Sequence, residues 1–185
     1  MTQATVDAGK GAPRSRLFDY FLGAALAAFL ILAFVMDSGG ELDGLVGAEA
    51  PAFELRSRSG KTLGPGDFRG QTVVLDFWAT WCTPCFRQMP KLARAVELVG
   101  DDVVVLSVNV DEAVADRDHK IDRFIESAKV DFDTLVDNGT AQQLYGVRTL
   151  PSLVVVGPDG VVRWAATGVH DTAELVEAIE GARHE

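Results

Sequence analysis

The chain has 185 residues, 48% of them hydrophobic, with 17 Lys+Arg against 27 Asp+Glu and a formal charge of −10. That length holds one domain of ordinary size plus a short appendage, and the apolar content excludes a disordered chain. So acidic a surface repels phosphate backbones, which removes nucleic acid from the expected partners and leaves solubility as the plain use of the charge.

Residues 21–36 carry no charge, and extending back to Leu17 gives 20 residues with Asp19 and Tyr20 near one end. As a helix rising ~1.5 Å per residue, 17–36 spans about 30 Å, the thickness of a bilayer core, with Asp19 at headgroup level. A buried helix of a soluble protein fits poorly, because the segment is apolar on every side. A cleaved signal would have an apolar region of ~7–15 residues ending at a small-x-small site, and Phe34-Val35-Met36-Asp37 matches that badly. No cysteine lies here for lipid attachment. The reading is a retained transmembrane anchor over 17–36. Lys10, Arg14 and Arg16 hold the tail 1–16 in the cytoplasm, so the chain beyond the span is exported with or without cleavage. Residues 37–50, with Gly39, Gly40, Gly44 and Gly47, are predicted to be a soft linker, and Pro51 to open a domain over 51–185.

Within that domain, residues 53–55 and 61–63 flank Ser57-Arg58-Ser59-Gly60 and predict a small hairpin. Residues 72–78 (TVVLDFW) form a near-continuous apolar run, the pattern of a strand buried on both faces. Phe86, Met89, Leu92, Ala93, Val96 and Val99 recur with the spacing of one helix face, with Pro90 inside it as a kink. A second buried strand is predicted over 103–108. Ile121, Phe124, Ile125 and Ala128 mark a second helix, and 140–145 a short one. Strands at 153–156 and 161–165 are joined by the turn Gly157-Pro158-Asp159-Gly160. The last helix opens on Asp171 and Glu174, a capping-box spacing, and ends at Gly181. Strands alternating with helices and closed by a hairpin indicate an α/β fold with a mixed sheet covered on both faces.

The only two cysteines, Cys82 and Cys85, sit three apart. A disulfide framework needs more of them, a closed zinc site needs two further ligands, and Phe86 rules out covalent haem attachment. His119, His170 and His184 are scattered without ligand spacing, and the acidic run 111–118 reads as a solvated loop before a metal site. Redox exchange and soft-metal binding remain. Cys82 falls just after the central strand and at a helix start, where the helix dipole and unpaired amide N–H groups favour a thiolate. Cys85, one turn on, is placed to resolve a mixed disulfide. That setting favours redox chemistry.

The block Phe77-Trp78-Ala79-Thr80-Trp81-Cys82-Thr83-Pro84-Cys85 followed by Met89-Pro90 resembles the thioredoxin superfamily. Ala50-Pro51-Ala52-Phe53, Asp67-Phe68-Arg69-Gly70 and Leu150-Pro151 add to the likeness and point to its membrane-anchored TlpA/ResA-like branch, over roughly residues 50–183. The resemblance implies a thioredoxin-like fold with Cys82 as attacking thiol and Cys85 as buried resolving thiol. It implies substrate contacts at Trp81, Thr83, Pro84, Leu150 and Pro151, with the backbone of Leu150 pairing to an extended substrate. On residues alone Pro151 is a trans proline at a strand start; the resemblance makes it the cis-proline facing the dithiol. The branch usually has Glu three residues after the second cysteine. Here that position is Gln88, whereas Asp76 stands six before Cys82, where thioredoxins proper carry a buried acid. Asp76 is therefore the expected acid–base for Cys85, with a pKa raised by burial, and Gln88 a hydrogen-bonding residue only.

The resulting expectation is extracytoplasmic thiol–disulfide exchange. Cofactors other than the Cys82–Cys85 disulfide are not expected, nor is a metal site. The resemblance implies a monomer that reduces disulfides of exported proteins, such as apocytochrome or cuproprotein thiols, with electrons from a membrane thiol transporter. A copper(I) chaperone using the same two thiolates, or a thiol oxidant, is the alternative. Copper chaperones of this superfamily usually show C-x-x-x-C with distal His and Met ligands, one residue longer than the spacing here.

Overall fold

The structure, a computed structural model, describes residues 42–183. The chain divides into two units, Met1–Gly39 and Gly40–Glu185, and all described residues belong to the second. The predicted anchor at 17–36 lies outside the described residues; among them, no helix is long and apolar enough to cross a membrane.

The elements in chain order begin with a two-stranded hairpin, β1 (Leu55–Arg56) and β2 (Thr62–Leu63), followed by β3 (Thr72–Trp78) and α1 (Thr83–Val99). Next come β4 (Val103–Asn109), α2 (Arg117–Ala128), β5 (Thr134–Val136) and α3 (Thr140–Leu144). β6 (Ser152–Val156), β7 (Val162–Thr167) and α4 (Thr172–Arg183) complete the domain. The main sheet has the order β5-β4-β3-β6-β7. β3 pairs parallel with β4 over its whole length, and antiparallel with β6 from Val73↔Val156 to Phe77↔Ser152. β5 is parallel to β4, and β7 antiparallel to β6. This is the mixed α/β sheet that the alternating pattern predicts.

All seven residues of β3 are buried. Successive strand side chains alternate, so Val73, Leu75 and Phe77 serve one face and Val74, Asp76 and Trp78 the other. The first three join Phe53, Leu106, Tyr145, Val154 and Val162 in one core. Val74 packs with Leu92 and Ala95 of α1 and Leu175 and Ile179 of α4. Trp78 packs with Cys85 and Met89 at the start of α1 and Ile121 of α2. A strand covered on both sides has no reason to alternate polar with apolar, hence the unbroken run.

Residues 42–50 are not the soft linker expected of them. Leu42 is buried in the first core, and Asp43–Leu45 form a 3-10 turn. Gly47 N donates to Val162 O at 2.8 Å, Val162 N to Ala48 O at 2.9 Å and Ala50 N to Gly160 O at 2.9 Å. The glycines read as flexible, yet backbone pairing with the start of β7 engages Gly47, Ala48 and Ala50, so the fold starts before Pro51. The stretch Asp67-Phe68-Arg69-Gly70 fastens the same corner: Gly64 N donates to Asp67 Oδ2 at 2.9 Å, Arg69 bonds Glu49 and the Asp159 carbonyl, and Gly70 N donates to Pro158 O at 2.8 Å. β5 has no counterpart in the sequence reading, and β7 runs to Thr167 instead of 165. α1 continues through Pro90, and Asp171 Oδ1 accepts from Glu174 N at 2.9 Å, the expected cap of α4.

If residues 42–50 belong to the fold, Leu42→Ala lowers unfolding stability by about 2–3 kcal/mol, the cost of a buried leucine cavity. Urea denaturation of the variant beside the parent checks this; a flexible linker would leave the midpoint unmoved.

Candidate active site

At the end of β3 the chain is held by Val110 N donating to Trp78 O at 2.9 Å, and Cys82 N turns back onto Ala79 O at 3.1 Å. α1 then starts with Thr83 and Pro84. Proline is well suited there, because early helix positions have no intrahelical acceptor for an N–H. Cys82 is the N-cap, its Sγ accepting from Cys85 N at 3.2 Å, and it is disulfide-bonded to Cys85. The dithiol thus sits where a helix leaves donors unpaired and where its dipole stabilises negative sulfur.

The two sulfur residues differ in access. Cys85 is sealed on the buried face of α1, in the core with Trp78 and Met89. Cys82 lines a groove of about 950 Å³ together with Trp81, Thr83, Pro84, Thr149 and Leu150. The Leu150–Pro151 bond is cis, as the resemblance implied and local residue preference did not. Pro151 itself is buried, its carbonyl accepting from Gly168 N at 2.8 Å, while Ser152 Oγ donates to Thr149 O at 2.6 Å. Five of the expected residues, Cys82, Trp81, Thr83, Pro84 and Leu150, therefore meet around one groove. Trp81 is 73% exposed, a contact surface; Trp78 is core, donating from Nε1 to Ser107 Oγ at 2.8 Å and stacked on Phe124 at 4.6 Å.

Asp76 lies outside the groove, on the α1-covered face of β3 in the row between Val74 and Trp78. It is buried, neither carboxylate oxygen has a protein partner, and burial pushes its pKa up to about 7. Gln88, on the buried face of α1, accepts from His170 N at 2.7 Å and so ties α1 to the β7–α4 connection. Its expected hydrogen-bonding use holds, and its Nε2, like the Asp76 oxygens, is buried without a protein partner.

Two acids that the sequence reading passed over hold segments that line the groove. Asp111, taken as part of a solvated run, is buried. Its carboxylate accepts from Thr80 N at 3.1 and 3.2 Å and from Asn109 Nδ2 at 3.1 Å, fixing the loop that presents Trp81. Asp137 caps α3 through Ala141 N at 3.0 Å and Gln142 N at 2.9 Å, and Gln142 lines the groove. The Asp137-Asn138-Gly139-Thr140 stretch was the available signal, an acid and turn residues before a helix. For Asp111 only its place just past a buried strand hinted at burial. Among the described residues no group of three or more His, Cys, Asp or Glu is placed to hold a metal ion.

The buried acids give two expected outcomes. The folded pKa of Asp76 lies above its unfolded value of 3.8, so its carboxyl costs no stability below pH 4, and the cost grows as pH rises to about 7. Asp76→Asn is expected to match the parent at pH 4 and exceed it at pH 8 by on the order of 4 kcal/mol, read from denaturation curves at the two pH values. Asp111→Ala leaves Thr80 N without its acceptor. It is expected to lower stability by about 1–3 kcal/mol and to increase the mobility of Trp81, visible as reduced fluorescence anisotropy.

Comparison with known proteins agrees with this site. Residues 46–165 match the model of the AhpC/TSA family. The chain is 31% identical to the thiol-disulfide oxidoreductase ResA of Bacillus subtilis over 141 residues, covering 71% of this chain and 75% of that protein. It is 28% identical over 134 residues to the thioredoxin-like protein YneN of the same organism, covering 72% and 78%. Among solved structures it is similar to the exposed lipoprotein thioredoxin of Streptococcus pneumoniae, with a TM-score of 0.59, 28% identity, and 71% and 99% of the two chains covered. StoA of Bacillus subtilis, at 22% identity, shares the fold with a TM-score of 0.60 over 70% and 96%. The chain belongs to the AhpC/TSA family, with a thioredoxin-like fold, and is a thiol:disulfide oxidoreductase whose redox centre is the Cys82–Cys85 disulfide.

Proposed function

We propose that this chain is a membrane-anchored reductase of disulfides in exported proteins, working outside the cytoplasm with its amino terminus inside. The asymmetry of the dithiol carries the reading: Cys82 opens on the groove and Cys85 does not. The apolar span 17–36, preceded by Lys10, Arg14 and Arg16, supports the location. Similarity to ResA and resemblance to the TlpA/ResA-like branch support the reducing direction.

In the reduced protein the Cys82 thiolate, favoured by the helix start, attacks one sulfur of a substrate disulfide. The substrate's S–S bond breaks, its other sulfur leaves as a thiolate and takes a proton, and a mixed disulfide forms at Cys82. The segment passing Leu150 and Pro151 holds the substrate backbone alongside, with Trp81, Thr83 and Pro84 as side contacts. Asp76, with a pKa of about 7, takes the Cys85 proton. Cys85 then attacks Cys82 Sγ, releasing the second substrate thiolate and restoring the Cys82–Cys85 disulfide. Two electrons have passed to the substrate, so a membrane dithiol donor of the thiol-transporter type must resupply them. Apocytochrome and cuproprotein cysteines are the substrates this branch suggests.

Equilibration of the protein with glutathione buffers tests the direction. A midpoint on the reducing side of about −200 mV is expected; a midpoint near −120 mV, the range of strong thiol oxidants, would overturn it. In the same preparation Cys85→Ser should accumulate a covalent mixed disulfide through Cys82, seen as a mass adduct lost on reduction.

A further inference from the structure

α2 sorts its charges by face. Asp118 and Asp122 turn toward Arg58, which binds them at 3.2 and 2.5 Å, and Glu126 borders the same recess. Arg117 and Lys120 line the Cys82 groove instead. Lys120 and Arg123, with Phe86 and Phe124, line a second recess of about 600 Å³ on the other side of Trp81. Lys120 and the exposed Trp81 border both hollows. The i, i+3 spacing of 117, 120 and 123 keeps the three cations on neighbouring positions.

The acids nearby do not cancel this stripe. Asp111 spends its carboxylate on Thr80 N and Asn109 Nδ2, and its carbonyl oxygen accepts from Arg117 at 3.5 Å. Asp116 meets Lys120 Nζ at 3.0 Å across an exposed contact, the kind of pair worth little in water. Glu112 is the other acid on the groove lining. On a chain of formal charge −10, a cationic strip beside the redox sulfur that lines the groove is the reverse of what the composition leads one to expect.

We propose that the stripe Arg117–Lys120–Arg123 selects substrates whose target disulfide is flanked by acidic residues, the acidic segment lying along α2 while Trp81 packs against its apolar side chains. This deepens the reductase reading and rests on it. The cations act at contact range, since at 0.1 M salt the screening length is about 10 Å and the negative body of the protein is felt little beyond that.

The test uses the reduced full chain and four disulfides. Three are cyclic cystine peptides of one sequence carrying three Glu, three Gln or three Lys beside the disulfide; the fourth is uncharged bis(2-hydroxyethyl) disulfide. At 0.1 M salt kcat/KM should fall in the order Glu, Gln, Lys, spanning about tenfold, and the three values should converge at 1 M salt. The double variant Lys120→Glu/Arg123→Glu should reverse the order, and Lys120→Arg should keep it. Equal rates for the three peptides at 0.1 M, or a preference for Lys, overturns the charge selection while turnover of the uncharged disulfide leaves the reductase reading standing. Failure to reduce any of the four removes both. Should the double variant misfold, the peptide series on the parent protein still decides the matter.

Discussion

Everything in this molecule hangs from the two-sided burial of β3. Seven consecutive residues are buried, and both edges of the strand are occupied, by β4 over its full length and by β6 over five residues. A strand so enclosed has one direction to move in, along its axis, and the Val110 N to Trp78 O bond closes that too. The chain can leave only through the turn at Ala79, and α1 starts where that turn delivers it. The helix is then pressed onto the sheet by Val74 against Leu92 and Ala95 and by Trp78 against Cys85 and Met89. The position of the dithiol is set by apolar packing well before any chemistry is considered.

Within that packing Asp76 is the anomaly. Its apolar neighbours on the strand gain from burial, whereas a carboxylate there forfeits hydration without a protein partner in return. The conflict resolves by protonation, which is why burial moves its pKa to about 7, the region where a carboxyl both accepts and gives up a proton. The charge falls on one side chain of a largely apolar strand, on the face covered by the start of α1, where Cys85 is sealed. Local disagreement with the folding pattern is what functional positions show when the rest of the sequence is consistent.

The same physics explains what could be read from the sequence. β3, β4 and β6 are apolar runs because they are central, and the helix after the dithiol declared itself by its 3.6-residue spacing. The hairpin turn and the cap of α4 are carried by local chemistry, so they too were legible. β5 was not: three residues, Thr-Leu-Val, set in an acidic stretch, owe their strand to pairing with β4 and to the bridge from Ser57 and Arg58, both distant in sequence. Leu42 through Ala50 looked like a linker because glycine content speaks only of freedom, whereas their order comes from β7, more than a hundred residues later. Asp111 was hidden for a similar reason. Besides Asn109, its partner is the backbone of Thr80, thirty-one residues earlier, and beyond its place just past a buried strand little local sets it apart from the exposed acids next to it in the chain. The cis bond at Pro151 had no local signature at all and was reached only through family resemblance.

The charge arrangement on α2 belongs to the same class of information. In sequence the helix reads as alternating signs, Arg-Asp-His-Lys-Ile-Asp-Arg, which suggests a neutral solvated face. Winding it at 3.6 residues per turn sends the acids one way and the cations another, and the position of Arg58 decides which way the acids face. Cys82 therefore stands at a boundary between a dry side, where Cys85 and Asp76 are shut away from solvent, and a wet side, where Trp81 and the cations of α2 meet whatever approaches. Proton handling needs low dielectric and fixed groups; recognition needs exposure and charge that can be screened. One sulfur at the end of one enclosed strand is the only atom of the pair that has to satisfy both demands, and the N-cap position, half in the helix and half out, is where the fold can offer both.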